Sequence, residues 1–155
     1  MAANISTNNA GQLEFGRLEG TATPWWGEGQ IVDIGLAHKA REFAIAACMA
    51  FMIGTRPFKF ADNGELVICD KGDCVGQSVY RLDNGKGLSI VGPQWTPHNF
   101  VDSCPFLQSL LDTGKATLST MGALGNGERQ WATLAFGELE VVKNDKVKNY
   151  LLHVV

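Results

Sequence analysis

The side chains with the most specific chemistry are four that bind metals well: Cys69, Cys74, His98 and Cys104. Thiolate and imidazole groups are the ligands of tetrahedral zinc, so the four together are a candidate metal site. Cys104, His98 and Asp102 also have the types of a nucleophile, a base and an orienting acid. A zinc site is not favoured, because the cysteine pairs do not have the spacing Cys-x-x-Cys. A catalytic triad is not favoured, because triads are normally assembled from distant segments. A buried structural thiol is the competing explanation for Cys104.

A second kind of chemistry is base stacking, since several tryptophans lie close to cationic side chains along the chain. Aromatic rings with a neighbouring Arg or Lys can stack single-stranded bases without sequence preference. The sequence therefore offers five candidate contacts for a nucleic acid, which are Trp25, Trp26, Arg81, Trp95 and Arg129. Packing in a hydrophobic core is the alternative role of each tryptophan.

Composition favours a packed globular protein without a strong charge signature for nucleic acid. The 155 residues are 45% hydrophobic and 19% charged, which is the balance of a folded domain. A formal net charge of −3 lacks the basic excess of proteins that bind mainly through phosphates. Four cysteines without an N-terminal signal pattern indicate reduced thiols, so we expect a cytoplasmic protein. We expect no membrane segment, because no apolar run is long enough to span a bilayer, and no cofactor.

The hydrophobic spacing predicts the elements that must position these residues. Residues 36–53 recur with a helical period, and a second helix is expected over 96–112, kinked or split by Pro105. Between the helices, a period of two and the turns Asp62-Asn63-Gly64 and Asp83-Asn84-Gly85 predict antiparallel hairpins, and more strands follow residue 116. This order indicates an α+β fold, with an antiparallel sheet of hairpins and two principal helices.

The chain is expected to divide into a short arm and one domain. Residues 1–22 are rich in Asn, Ala, Thr and Gly, and their apolar positions are scattered, so they are predicted to be a flexible N-terminal arm. Residues 23–155 are predicted to form a single α+β domain that begins at the step Pro24-Trp25-Trp26.

The order of several short motifs resembles DUF932, a group of phage- and plasmid-borne proteins without an assigned activity. These motifs are Trp25/Trp26-Gly27-x-Gly29, Arg81-x-Asp83-x-Gly85, Val91-Gly92 followed by Trp95, Gly122-Ala123-Leu124-x-x-Gly127-x-x-x-Trp131-Ala132 and Tyr150-Leu151-Leu152. Members of the group continue past the last motif, so the resemblance implies a chain truncated at its C-terminus, whether as an engineered fragment, a natural truncation or a short divergent branch. It also implies a role in mobile-element biology, inside a bacterial or phage-infected cell.

Three functions are open at this point. The leading hypothesis is a non-enzymatic protein of DNA transactions that binds or anneals single strands. The acidic balance favours an alternative, a protein-interaction module that inhibits a host defence factor or assembles with copies of itself. The third is a metal- or thiol-dependent enzyme built on the cysteines. The expected partners are thus a single-stranded nucleic acid, a host protein or a second copy of the chain.

Overall fold

A computed structural model describes residues 4–24, 27, 29–142 and 145–154 of the chain. They form two α-helices and a series of β-strands, of which most pair as antiparallel hairpins. In chain order the elements are β1 (Phe15–Leu18), β2 (Gln30–Val32), α1 (Ala40–Ala46), β3 (Ile53–Phe60), β4 (Leu66–Ile68), β5 (Gly76–Arg81), β6 (Gly87–Val91), α2 (Phe100–Leu111), β7 (Thr117–Leu124), β8 (Arg129–Val142) and β9 (Asp145–Val154). The predicted α+β class with two principal helices is confirmed.

The chain divides into two compact units, and each has its own sheet. The first unit comprises Met1–Ala50 and Phe100–Val155, and the second comprises Phe51–Asn99. The first sheet has the strand order β2-β1-β7-β8-β9, and the second has the order β4-β3-β5-β6. β1 and β2 run parallel, whereas the other pairings are antiparallel.

The segment predicted as an arm contributes a strand to the first sheet. β1 lies between β2 and β7, with Phe15 opposite Gly122, and the Phe15 side chain is fully buried. Leu13, Phe15 and Arg17 alternate in the sequence, which is a weak strand signal within a polar stretch. The strand forms because neighbours distant in sequence supply its hydrogen bonds, and composition alone does not reveal such neighbours.

The first helix is much shorter than the predicted range of residues 36–53. α1 ends because Cys48 adopts a positive φ of 60°, and a Schellman motif closes the helix behind it. The Met49 N–H donates to the Ala44 carbonyl at 2.8 Å, and the Cys48 N–H donates to the Ile45 carbonyl at 3.1 Å. Glycine usually occupies this position, so the sequence offered no stop signal before Gly54.

The second helix begins later than predicted and is not split. α2 starts at Phe100 rather than at Thr96, and it runs through Pro105 to Leu111 as one helix. Pro105 is its sixth residue, so the proline removes one N–H from the ladder near the N-terminal end. Phe100, Leu107 and Leu111 are buried, and this burial offsets the lost hydrogen bond.

The predicted hairpins of the second unit are confirmed. β3 pairs with β4 across the turn that contains Gly64, and β5 pairs with β6 across the turn that contains Gly85. The two glycines have φ values of 82° and 71°, a region that L-residues avoid and that such turns require.

Candidate nucleic-acid interface

Arg81, a predicted nucleic-acid contact, is fully buried within the second unit. Its Nε donates to Asp83 Oδ1 at 2.9 Å and its Nη2 donates to Asp83 Oδ2 at 2.6 Å, so the guanidinium grips the carboxylate with two parallel hydrogen bonds. The guanidinium carbon lies 3.8 Å from the centre of the Phe51 ring. Because these contacts bury the guanidinium, Arg81 is not exposed to a phosphate or a base.

The Arg81-x-Asp83-x-Gly85 motif therefore has a structural explanation as a hairpin closure. The Arg81 N–H donates to the Lys86 carbonyl at 2.9 Å, and the Gly85 N–H donates to the Arg81 carbonyl at 3.0 Å. The hydrogen bonds and charge of Arg81 hold the pKa of Asp83 below its ordinary value, although partial burial opposes this shift. The carboxylate thus stays ionised, and the pair fixes the turn between β5 and β6.

Trp95, a second predicted contact, lies in a loop that a buried glutamine holds in place. Gln77 on β5 is fully buried, and its Nε2 donates to the carbonyls of Gly92, Pro93 and Trp95 at 3.3, 3.1 and 2.9 Å. Its Oε1 is buried without a hydrogen-bond partner. The Trp95 side chain is half-buried, so part of the indole remains accessible beside this anchored loop.

Arg129 lies in the first unit, at the start of β8, and its side chain is exposed. Trp131, two residues later, is half-buried, and its ring stacks on Phe15 with 6.0 Å between ring centres and an interplanar angle of 27°. A Cβ atom on Gly122 would lie only 2.3 Å from Trp131 Cη2, so the indole lies over the glycine opposite it. The first glycine and the tryptophan of the Gly-x-Leu-x-x-Gly-x-x-x-Trp segment therefore pack against each other in the sheet.

The predicted contacts that the structure describes belong to different units. Arg81 and Trp95 belong to the second unit and Arg129 to the first, while Trp25 and Trp26 lie outside the described residues. The nucleic-acid role of each accessible residue stays a prediction.

The metal and thiol candidates are likewise divided. Cys69, Cys74 and His98 lie in the second unit, whereas Cys104 lies in the first and is buried. Burial raises the pKa of Cys104 to about 11, so this thiol is protonated at neutral pH. Over the residues that the structure describes, no group of three or more His, Cys, Asp or Glu side chains is arranged to hold a metal ion.

A different set of residues forms an aromatic surface on one side of the second sheet, which we call the open face. Arg56, Phe58 and Phe60 project from alternate positions of β3, and the register places Ser78 and Tyr80 of β5 on the same side. The Arg56 guanidinium carbon lies 5.2 Å from the centre of the Tyr80 ring, which is a cation–π contact. An arginine and a tyrosine are thus held together on one face of a sheet.

Glycines on the neighbouring strands make room for two of these aromatic rings. Gly76 is opposite Phe58, and a Cβ atom there would lie 2.9 Å from Phe58 Cζ. Gly54 is opposite Tyr80, and a Cβ atom there would lie 3.2 Å from Tyr80 Cζ. Each ring lies against the bare backbone of the adjacent strand, an arrangement known to stabilise glycines in sheets.

The open face carries a groove and a border of exposed apolar side chains. The groove has a volume of about 580 Å³, and Arg56, Ser78 and Tyr80 contribute to its lining. Several large apolar residues on or beside the face expose more than half of their surface to solvent, namely Phe60 (60%), Leu66 (55%), Ile68 (66%), Leu82 (58%) and Ile90 (69%). Exposed apolar surface on one side of a sheet is typical of binding sites on soluble proteins.

The open face was not among the predicted sites, although the sequence contains one signal of it. Arg56, Phe58 and Phe60 alternate with Pro57 and Lys59, which gives a strand one aromatic side. The period of two shows that these residues share a face, but it does not show which side of a sheet is covered by the rest of the chain.

The chain matches a known protein family over part of its length. The family model described as Domain of unknown function (DUF932) matches residues 87–154, a segment that contains β6, α2 and β7 to β9. The resemblance is confirmed over this segment, and the motifs that begin at Trp25 and Arg81 lie before it. No curated protein and no solved structure matches the chain. Among the helices within the described residues, none is long and apolar enough to cross a membrane.

Proposed function

We propose that the protein binds single-stranded nucleic acid on the open face, in the DNA transactions of a phage or plasmid and in the cytoplasm of its host. The observation that carries this proposal is the Arg56–Tyr80 pair beside the groove, with Phe60 exposed on the same strand as Arg56. Aromatic platforms with adjacent arginines on sheet faces are a recurrent way of stacking unpaired bases.

The members of the open face would contribute differently to binding. Phe60 is the ring available for stacking, whereas Phe58 is buried and supports it through an edge-to-face contact of 6.2 Å between ring centres. Tyr80 is half-buried against Gly54, so its remaining surface and the Arg56 guanidinium form the second platform. Each stacked base contributes about 1–3 kcal/mol to binding.

Charge makes a specific prediction about salt. Among the described residues that line the groove, Arg56 is the sole cation, and the net charge of the chain is −3. One phosphate contact on a single strand gives a slope of about −0.7 in log K against log salt concentration. We therefore expect shallow salt dependence, because stacking rather than phosphate neutralisation supplies the affinity.

The test is fluorescence anisotropy with a labelled single-stranded oligonucleotide at several salt concentrations. Phe60→Leu keeps an apolar side chain but removes the ring, so it should weaken binding by about 5- to 150-fold, the equivalent of one stacked base. Arg56→Gln should weaken binding and flatten the salt slope. Arg41→Gln, which removes an exposed arginine of the first unit that is not a predicted contact, is the matched control and should leave binding unchanged.

Two outcomes would overturn this proposal. One is the absence of oligonucleotide binding by a protein whose circular dichroism shows that it is folded. The other is an equal loss of binding in Arg41→Gln and Arg56→Gln, which would show that binding depends on the overall charge and not on the open face.

A second candidate function is a protein-interaction module, either assembling with copies of itself or docking on a host factor. The exposed aliphatic side chains on the open face, above all Ile68 and Ile90, favour this function because bases do not require them. Phe60→Leu should then preserve the interaction, whereas Ile68→Lys should abolish it. Light scattering on the two variants, together with the anisotropy measurements, distinguishes the two functions.

A further inference from the structure

Two half-buried cysteines lie at the ends of the crossover that joins β4 to β5 in the second unit. β4 and β5 flank β3 on opposite sides, so the chain between them must pass over β3. The Cys69 N–H donates to the Pro57 carbonyl at 3.2 Å, and the Val75 N–H donates to the Phe58 carbonyl at 3.0 Å. The crossover therefore leaves and rejoins the sheet at consecutive residues of β3.

The crossover is folded tightly between these two points. A 3-10 turn occupies Lys71–Asp73, and the Asp73 N–H donates to the Asp70 carbonyl at 3.0 Å. Asp73 forms an ion pair with Lys59 of β3, which holds the turn over the strand. The Cys74 Sγ donates to the Lys71 carbonyl at 3.0 Å, so this thiol points back into the loop that Cys69 begins.

The register places the Cys69 side chain on the same side of β3 as this turn. Phe58 pairs with Ile68 and Lys59 pairs with Val67, so the residue after Ile68 falls on the side that carries Pro57 and Lys59. Lys59 also contacts the turn through Asp73. Both thiols thus face one short loop, and four residues separate them in the chain.

We propose that Cys69 and Cys74 are a thiol modification site that closes reversibly to an intramolecular disulfide by exchange with a low-molecular-weight disulfide such as oxidised glutathione. One protein thiolate attacks the small disulfide, forms a mixed disulfide and releases one small thiolate. The second protein thiolate then displaces the other small thiol and forms the Cys69–Cys74 bond. The two protein thiols lose two electrons and two protons in total, and the small disulfide is reduced to two thiols.

The surroundings of Cys69 set the pH dependence of this exchange. Partial burial and the neighbouring Cys74, Asp73 and Asp70 raise the pKa of Cys69, while the nearby Lys59 lowers it. Because the thiolate is the attacking species, the exchange should be slow at neutral pH and accelerate as the pH rises.

Tryptic peptide mapping under non-reducing conditions tests the proposal directly. Lys71 lies between the two cysteines, so trypsin separates residues 60–71 from residues 72–81 unless a disulfide joins them. After incubation of the folded protein with oxidised glutathione, the two peptides should appear as one linked species, about 2 Da lighter than their sum. Dithiothreitol should release them.

Variants establish the specificity of the linkage. Cys69→Ser and Cys74→Ser should each abolish the linked species, whereas Cys104→Ser, which removes a buried thiol of the first unit, should leave it unchanged. Separate peptides from folded, oxidant-treated protein would overturn the proposal. So would a dominant linkage of Cys69 to Cys48, to Cys104 or to a second chain on a non-reducing gel.

Discussion

The two units of the molecule treat their apolar side chains in opposite ways. Of the 21 buried hydrophobic residues among the described part of the chain, 18 lie in the first unit, and the second unit holds Phe51, Phe58 and Val79. Of the 12 large hydrophobic residues that are exposed there, seven lie in the second unit, which is less than half as long. The first unit thus buries most of the apolar core, whereas the second leaves much of its apolar surface exposed.

The largest effect that this comparison predicts comes from a truncation in the first core. Phe43 on α1 is fully buried, so Phe43→Ala should lower the free energy of unfolding by about 3–5 kcal/mol. Chemical denaturation followed by circular dichroism measures this loss. A loss below about 1 kcal/mol would contradict the assignment of the main core to the first unit.

Overpacking of the first sheet should have the next largest effect. A Cβ atom on Gly122 would lie 2.3 Å from Trp131 Cη2, so Gly122→Ala should displace the indole and destabilise the protein by about 1–3 kcal/mol. Tryptophan fluorescence should change as well. Gly87→Ala is the matched control, because a Cβ atom there meets nothing within 4 Å and the substitution should be nearly neutral.

The second unit should depend on an ion pair instead. Asp83→Asn leaves the buried Arg81 without its carboxylate, and we expect a loss of about 1–2 kcal/mol at neutral pH. The pKa of Asp83 is lowered by folding, so its contribution is complete above the ordinary aspartate pKa and is lost as the pH falls through the folded value.

Chemical denaturation of the wild type and of Asp83→Asn between neutral and acidic pH tests the direction of this pH dependence. The stability difference between the wild type and Asp83→Asn should persist at neutral pH and shrink below about pH 4. Asp62→Asn, which changes an exposed carboxylate in the turn between β3 and β4, is the matched control. A difference that instead grew towards acid would refute the role of the pair.

A smaller effect, of opposite sign, is expected at the end of α1. Cys48 has a positive φ, which costs an L-residue about 1 kcal/mol relative to glycine, so Cys48→Gly should stabilise the first unit by that order. Cys48→Ala keeps the unfavourable conformation and serves as the control. Both variants lose the thiol, but only Cys48→Gly relieves the backbone strain, so the difference between their melting temperatures measures that strain.

The same residue shows what the sequence could and could not predict. Hairpin turns follow from local chemistry, and the glycines at residues 64 and 85 located them correctly. The end of α1 depends on a cysteine in a conformation that its residue type disfavours, so no local signal marks it. β1 likewise depends on pairing with β7, more than a hundred residues away.

The candidate site was harder to predict than the fold for a related reason. Arg81 was identified as a contact because it is cationic, yet it is buried on Phe51 and Asp83. Arg56 is the same residue type on a neighbouring strand, and it is exposed beside Tyr80. Residue type gives the chemistry, but only the packing of the sheet decides which arginine meets solvent.

The smallest predicted effect is the sharpest test of the difference between the units. Ile68 on β4 is 66% exposed, so Ile68→Thr should change the free energy of unfolding by less than about 0.5 kcal/mol. Threonine keeps the β-branched shape that suits a strand and removes only apolar surface. Chemical denaturation should therefore show no shift, while the affinity of a protein bound at the open face should fall. A clear loss of stability would mean that Ile68 is covered in the folded protein in solution, and the apolar border would then belong to the core.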